Sequence, residues 1–502
     1  MCGIVAAHGP FDHPTCQAML DRIVHRGPDG QGHVTVGEAA WLGHRRLAIV
    51  DVEGGEQPFR TGDGTAAMTA NGEIYNHRQL RRRIGSSCFA SRSDNEVALH
   101  LYLAEGTSGL GALRGMFALV IATEDGRFVA TRDPLGIKPL YWARHDGAML
   151  FASELRAFPE PWRPYVEEFP AGYAWSSEEG LVRVFDELVS ADEPVPAPDG
   201  ELPTGTIEAI RDGLIAAVEE RMMADVPVGV FLSGGLDSSL VAAIAARAAA
   251  RQGETLSSFA VGLSGSADIL AARRVAEHLG TEHHEWLYEA EDLLAALPDT
   301  IRCIESFDPM LVHSAVPNHL LARFTAQHVK VVLTGEGADE LFAGYDYHRD
   351  LEDPAELHRE LVRTVGGLHN LNLQRCDRVT MAHGLEARVP FLDTSFVGLA
   401  LRIPAGLKQA TAQRPEKWLL RTAFDGWLPD DLLWRRKEQF GDGTGASTIL
   451  REAIELDGLD RLDGRDDVPP LRTAEEATYW RVFDAHLEGV RSEDVVGRFA
   501  VA

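Results

Sequence analysis

The sequence predicts an α+β sheet domain followed by an α/β domain built on a parallel, helix-covered sheet. Three observations carry this. The amino-terminal third reads as short extended runs broken by Gly and Asp turns. Residues 186–203 turn acidic and proline-rich, with Asp192-Glu193-Pro194-Val195-Pro196-Ala197-Pro198 at their centre, the composition of a linker. Beyond them, apolar runs alternate with helical stretches. The expected division is 2–185, a linker at 186–203, and 204–502.

In the first domain Gly3 to Ala7, Ala39 to Val52, Ala67 to Asn71, Phe117 to Thr123 and Arg127 to Arg132 read as strands. Helical patches at Cys16 to His25 and Asp94 to Ala104 interrupt them. Clustered strands with few helices argue against alternating βαβ units here. In the second domain a helix from Gly205 to Met222 leads to the apolar strand Val226 to Leu232, a Gly/Ser loop and a helix from Asp237 to Ala250. The strand Leu256 to Leu263 and the helix Asp268 to Leu279 follow, and the strand Val329 to Leu333 again enters a Gly-rich loop. The carboxyl-terminal stretch is acidic and mixed, and its pattern predicts no element.

Composition bounds the function. Of 502 residues, 45% are apolar and 25% charged, enough apolar surface for sizeable cores. Lys plus Arg total 48 against 76 Asp plus Glu, a formal charge of −28, which repels phosphate backbones and anionic membranes. No apolar run approaches the ~20 residues of a spanning helix. The start, Met1-Cys2-Gly3-Ile4-Val5, lacks a signal peptide's basic region and apolar core. A cytoplasmic protein with no nucleic-acid or membrane partner is expected. The five cysteines, Cys2, Cys16, Cys88, Cys303 and Cys376, are widely spaced with no Cys-x-x-Cys pair, so neither a disulfide framework nor a zinc ribbon is indicated. His283-His284-Glu285, His313 and His319 lack the spacing of a zinc site. Gly441-Asp442-Gly443-Thr444-Gly445-Ala446 fits a loose dinucleotide pattern but follows a charged run rather than a strand.

Cys2 carries the first chemical signal. Its small side chain permits removal of Met1, which leaves a thiol and an α-amine on one residue. An α-amine, with a reference pKa of ~7.7–8.0, can take the proton of an attacking thiol. Asn71-Gly72, within Ala70 to His77, offers a side-chain amide and a backbone N–H for an oxyanion. A substrate bearing both a carboxylate and an ammonium needs Arg for one and Asp or Glu for the other; Gly43-His44-Arg45-Arg46-Leu47 supplies guanidinium groups and Ser93-Asp94-Asn95-Glu96 a carboxylate. Together with His25-Arg26-Gly27-Pro28-Asp29 and Arg132-Asp133-Pro134-Leu135-Gly136-Ile137-Lys138-Pro139-Leu140-Tyr141, these segments resemble class II glutamine amidotransferases over the whole first domain. The resemblance implies a four-layer αββα N-terminal nucleophile fold with Cys2 as the glutaminase nucleophile. It further implies that Asn71 and Gly72 stabilise the oxyanion, and that Arg46, Ile49, Val50, Asn71, Gly72, Glu73 and Asp94 bind glutamine.

The second signal is Ser233-Gly234-Gly235-Leu236-Asp237-Ser238-Ser239 after the strand Val226 to Leu232. Glycines let successive N–H groups face an anion, and the following helix N-terminus adds positive potential. Serine hydroxyls donate to phosphate oxygens, and Asp237 can hold Mg²⁺. Thr334-Gly335-Glu336-Gly337-Ala338-Asp339-Glu340 forms a second loop on the same carboxyl edge of the sheet, where ligands of open α/β folds bind. The first loop resembles the pyrophosphate loop of the ATP-pyrophosphatase superfamily. With His383 to Asp393 and Arg436-Lys437-Glu438-Gln439-Phe440, the chain resembles glutamine-hydrolysing asparagine synthetases of the B type nearly throughout.

That resemblance implies ATP and Mg²⁺ as cofactors, and glutamine with aspartate or another small carboxylate as substrates. An acyl-adenylate forms with release of pyrophosphate, and ammonia from the thiol site then attacks it. Leu232, Ser233, Gly234, Gly235, Asp237, Ser238, Ser239, Val261, Thr334 and Gly335 would bind ATP, and Asp237 and Asp339 would hold Mg²⁺. Glu336 would take the proton from attacking ammonia and Lys437 would stabilise the phosphates. A homodimer is implied by the resemblance alone. One departure stands out: where the best-known members carry Thr-Thr-Ile-Arg, this chain has Met310-Leu311-Val312-His313. The acceptor pocket is expected at Met310, His313 and Arg375. Aspartate is the expected acceptor, a different carboxylate in a specialised pathway the alternative. Lactam-forming relatives have lost the thiol, and an inactive sensor would be expected to have lost Cys2, Asp237 or Glu336; all three are present.

Overall fold

The computed structural model describes residues 2–196, 201–435, 445–456 and 469–499. The first domain stacks two six-stranded antiparallel sheets. One runs in the order Val166–Glu168, Tyr141–His145, Ala148–Ala152, Gly3–His8, Ala40–Arg46, Gly30–Val36. The other runs Gly180–Arg183, Tyr173–Ser176, Phe128–Arg132, Gly115–Thr123, Ala66–Ile74, Phe59–Arg60. Strand periodicity divides the side chains between two cores. Met68 and Ala70 face the helices His77–Ile84 and Glu96–Gly109, whereas Ala67 joins Ile4, Ala6 and Leu42 between the sheets. On the far side, the helix His13–Asp21 lays Cys16, Met19 and Leu20 against Val5, Ala7 and Trp41. The order helix, sheet, sheet, helix is the αββα arrangement.

Two local expectations change. The run Ala39 to Val52 is a strand only over Ala40–Arg46. Asp51 has φ 52°, and the guanidinium of Arg46 folds back onto the carbonyls of Asp51 and Val52, 2.7 and 2.9 Å away. The apolar alternation continues because Leu47 and Ile49 are buried, but against Val331 and Met381 of the second domain rather than within a sheet. Alternation reports burial, not the hydrogen-bond partner. The helix His77–Ile84 is an addition to the expected elements: its Arg81-Arg82-Arg83 run hides the two residues it buries, His77 and Leu80.

The second domain is a five-stranded parallel sheet in the order Glu282–Leu287, Ser257–Gly262, Val228–Phe231, Val331–Leu333, Glu386–Arg388. Val230 pairs with both Ser258 and Leu333, so the loops after the two strands Val228–Phe231 and Val331–Leu333 emerge side by side. The helix Ala474–Leu487, where the sequence predicts nothing, buries Tyr479, Trp480 and Phe483. No helix among the described residues is long and apolar enough to cross a membrane.

One buried charge has a measurable cost. Lys408, ending the short helix Ala405–Lys408, is 1% exposed, and burial alone lowers its pKa to about 7. A depressed folded-state pKa means that the folded protein binds fewer protons than the unfolded chain between about 7 and its unfolded value of about 10.5. Stability therefore rises with pH across that window and falls as pH drops through about 7. Lys408→Met is expected to stabilise the protein at neutral pH, by up to roughly 5 kcal/mol at 1.36 kcal/mol per pH unit, with the gain fading at alkaline pH. Thermal unfolding midpoints of both proteins across this range check it.

Candidate active site

Cys2 immediately precedes the strand Gly3–His8, which runs through the centre of the first sheet, and its side chain is buried. Its N–H donates to Asn71 Oδ1 at 2.9 Å, and its carbonyl accepts from Arg26 Nε at 3.1 Å. Burial pushes the thiol pKa up, and Sγ lies 3.9 Å from the carbonyl of Leu47. With Oδ1 engaged, Asn71 Nδ2 is a buried donor without a partner among the described residues. Gly72 has φ 143°, and a Cβ there would lie 1.9 Å from Met116 O, so only glycine fits. Asp94 is buried beside this turn and accepts from the Ile74 N–H at 2.6 Å, while Asn95 Nδ2 donates to Gly72 O at 2.8 Å. Glu73 lies against Arg388 of the second domain, Oε1 to Nη2 3.3 Å. Arg46 sits at the end of its strand on the 51–52 carbonyls, Val50 is half-buried, and the Ile49 side chain belongs to the cluster between the domains.

Behind Cys2 the domains meet over buried charge. Arg26 pairs with Glu154 at 2.9 Å and with Asp377 at 2.8 Å. Arg378, the next residue, pairs with Glu154 at 3.3 Å and Glu305 at 3.1 Å. The Arg132 to Tyr141 segment is a knot around Asp133, whose carboxylate accepts from the N–H groups of Leu135, Ile137 and Lys138. It places the buried Lys138 ammonium 3.8 Å from Asp377.

The loop after Val228–Phe231 is drawn together by Ser233 Oγ, 3.0 Å from Ser238 Oγ and accepting from the Gly235 N–H at 3.3 Å. Gly234 has φ 74°, and a Cβ there would lie 2.6 Å from Ala271 Cβ. The helix Leu236–Arg251 begins with no side-chain cap, so its first N–H groups point at the loop. Gly335 of the second loop lies so close that its Cβ would be 2.9 Å from Asp237 Cβ. Ser239 Oγ and Thr334 Oγ1 are buried without partners among the described residues, polar atoms that a phosphorylated ligand would satisfy. Leu232 follows one strand and Val261 lies near the end of its neighbour, both with buried side chains. The Leu232 N–H donates to Phe259 O at 2.8 Å, which ties the start of the loop to that neighbouring strand.

Asp237 and Asp339 converge on one cation, the ammonium of Lys417, which is 3% exposed and 2.7 Å from Asp339 Oδ1. Burial opposes the lysine's charge, but the two carboxylates hold its pKa above the ordinary value. The sequence does not single out Lys417. A lone lysine after Pro415-Glu416 carries no signal until the fold brings it back to both loops. Lys437 lies outside the described residues.

At the other end of the second loop, Glu336 pairs with Arg375, whose Nη1 also donates to Ser314 Oγ at 2.7 Å. Glu340 is raised to about 7 by burial and then by Asp339, and accepts from Tyr345 OH at 2.5 Å and Asn372 Nδ2 at 3.2 Å. The Met310–His313 run forms the first turn of the helix Pro309–Thr325. Met310 is half exposed and Leu311 is core. The His313 ring is committed to Glu475 of the helix Ala474–Leu487, whose carboxylate also accepts from Tyr479 OH at 2.7 Å. The structure thus groups Arg375 with Glu336 and Ser314, and turns His313 toward Glu475. Glu475 is illegible in the sequence because its helix is.

Comparison with known proteins places the chain in a family. The pattern of the asparagine synthase family matches residues 209–355 and 350–488, and that of the glutamine amidotransferase domain matches residues 1–168. The chain is 42% identical over 472 residues to asparagine synthetase [glutamine-hydrolyzing] 2 of Arabidopsis thaliana, covering 89% of this chain and 80% of that protein. It is 40% identical over 527 residues to a probable asparagine synthetase [glutamine-hydrolyzing] of Schizosaccharomyces pombe, covering 96% of this chain and 93% of the relative. The chain therefore belongs to the glutamine-hydrolysing asparagine synthetase family.

Proposed function

We propose that this enzyme converts aspartate to asparagine with glutamine as nitrogen donor, through an acyl-adenylate that gives AMP and pyrophosphate. The observation that carries the reading is the helix Asn372–Met381, which touches both sites. Its Arg375 contacts Glu336, and two residues on Asp377 contacts Arg26, which holds the Cys2 carbonyl. Ammonia released at Cys2 passes to the synthetase loops that this helix adjoins.

At the first site the thiol of Cys2 attacks the side-chain amide carbon of glutamine, and its proton passes to the α-amine bared by loss of Met1. Asn71 Nδ2 and the Gly72 N–H take the charge on the tetrahedral oxygen. Ammonia leaves, and water hydrolyses the thioester to glutamate. Arg46 binds the substrate carboxylate, and Glu73 and Asp94 bind its ammonium. At the second site the acceptor carboxylate attacks the α-phosphorus of ATP. The Ser233–Ser239 and Thr334–Gly335 loops cradle the phosphates, and Lys437 adds positive charge. Asp237 and Asp339 would hold Mg²⁺, which would neutralise phosphate charge there, and their convergence on one ammonium supports their sharing a cation. Glu336, oriented by Arg375, takes a proton from ammonia as nitrogen attacks the acyl carbon and AMP departs. The domain division 2–185 and 204–502, a homodimer and a cytoplasmic location belong to the same reading and rest on the sequence and the family resemblance.

Wild-type protein with aspartate, ATP and ammonia is expected to give asparagine and pyrophosphate in equal amounts, read by product mass and a pyrophosphate assay. Leu311 packs in the core and His313 is tied to Glu475, so Thr at 310 and 311 with Arg at 313 is expected to add no aspartate activity. If wild type makes no asparagine while another carboxylic acid triggers pyrophosphate release, that acid is the acceptor. The alternative reading is favoured by Met310, whose side chain offers a desolvated aspartate no hydrogen bond.

A further inference from the structure

Arg388 belongs to the synthetase sheet by chain position and reaches into the glutamine pocket by its side chain. It is the last residue of the strand Glu386–Arg388 and is fully buried. Nε donates to Glu386 Oε1 at 2.5 Å, and Nη1 donates to the carbonyls of Arg221 and Met223 at 2.7 and 2.5 Å. These bonds hold the guanidinium in one orientation, with Nη2 3.3 Å from Glu73 Oε1 as an ion pair and not a hydrogen bond. The backbone of the same residue ends in a different place. Its carbonyl accepts from the Thr334 N–H at 2.9 Å, the first residue of the loop that carries Gly335, Glu336 and Asp339.

Glu73 needs such a partner. It is 3% exposed, and its second oxygen, Oε2, is buried without a partner among the described residues. The groups facing it are Asp94 before the helix Glu96–Gly109, Glu386 and Arg388 on the synthetase strand, and Tyr75 and Cys2 within its own domain. Burial, then Asp94 and Glu386, push its carboxyl well above the usual range, and Arg388, then the amino-terminal charge, oppose them. A neutral Glu73 would hold an ammonium less strongly than the charged form.

We propose that Arg388 is a positioning residue of the glutamine pocket: it engages one oxygen of Glu73, presents the other to the substrate ammonium, and ties that carboxylate to the Thr334 loop of the synthetase site. The proposal rests on Glu73 being the ammonium site. It makes glutamine affinity a property of both domains. Because coupling between two binding events is reciprocal, filling the nucleotide loop is expected to change glutamine affinity by the factor that glutamine changes nucleotide affinity.

The test uses the full-length enzyme, with glutamate release measured against glutamine concentration and pH for Arg388→Gln, Arg388→Lys, Glu73→Gln and the double variant Glu73→Gln/Arg388→Gln. Arg388→Gln is expected to raise KM for glutamine about tenfold or more, a loss of about 1.4 kcal/mol, with kcat changed less and the acid limb of kcat/KM moved to higher pH. Arg388→Lys keeps the charge but not the fork, so KM is expected to rise severalfold while the acid limb stays in place. In the double variant, loss of Arg388 is expected to add nothing to the KM of Glu73→Gln. If Glu73→Gln raises KM but both Arg388 variants keep the wild-type KM and pH profile, the proposal is overturned and the ammonium site stands. If Glu73→Gln itself leaves KM unchanged, the ammonium site was misassigned and the proposal falls with it. Should Arg388→Gln fail to fold, Arg388→Lys decides alone, and a wild-type KM overturns the proposal.

Discussion

A Cys2→Ala variant is expected to lose all glutamine-dependent synthesis and to keep synthesis from free ammonia. Loss of the nucleophile of a covalent mechanism costs on the order of 10⁶-fold in rate, and no other described thiol lies in the pocket to replace it. The substitution leaves the local backbone intact. The N–H bond to Asn71 and the carbonyl bond from Arg26 involve main-chain atoms of residue 2, so the domain interface retains its partners. Glutamate release and asparagine formation, measured with glutamine and then with ammonium salts at alkaline pH, separate the two activities. A folded variant that free ammonia fails to rescue would show that the sites do not work in sequence. The intact mass of the wild type is expected to lack Met1, because a retained methionine would occupy the amine that receives the thiol proton.

The second large effect is expected from Asp237→Ala, which should abolish pyrophosphate release and spare glutamine hydrolysis. Asp237 stands where the two loops touch, against Gly335, and shares Lys417 with Asp339. Removing it leaves a single carboxylate of that pair to balance the lysine and to share any divalent cation. Electrostatic groups of this kind are worth on the order of 10²–10³-fold each, and loss of the shared cation adds to that. Cys2 lies in the other domain, so glutaminase activity serves as the internal control for folding. Pyrophosphate release at the wild-type rate would mean that the Ser233–Ser239 loop does not bind the phosphates.

Both variants act on residues that the sequence announces, and the reason is local. Cys2, Asn71-Gly72 and the Ser233–Ser239 loop have their chemistry in contiguous residues, with glycine marking each tight turn. The alternation of strands and helices is equally legible, because burial leaves a periodic trace within one element. What remains hidden is nonlocal. Lys417 and Asp237 are 180 positions apart, and Arg26 and Asp377 are 351 apart. Arg388 is visible only as part of the Glu386-Ala387-Arg388 run, and nothing in that run says that its side chain and its carbonyl serve different domains. Glu475 lies on a helix whose polar first turn masks its apolar face. The strand expected over Ala39 to Val52 stops short for the same reason: Leu47 and Ile49 are buried by residues far along the chain.

The seam of buried charge behind Cys2 sets the terms on which these modules can be exchanged. Arg26 and Glu154 on one side are completed by Asp377, Arg378 and Glu305 on the other, all of them buried. Breaking a buried ion pair by losing one member costs about 3–5 kcal/mol. A chimera that grafts a foreign amidotransferase onto this synthetase therefore inherits stranded charges unless both faces of the seam travel together. Recombination between such enzymes should succeed where the crossover keeps this five-residue set intact, and such a set defines the interface as a unit of inheritance rather than a boundary between two parts.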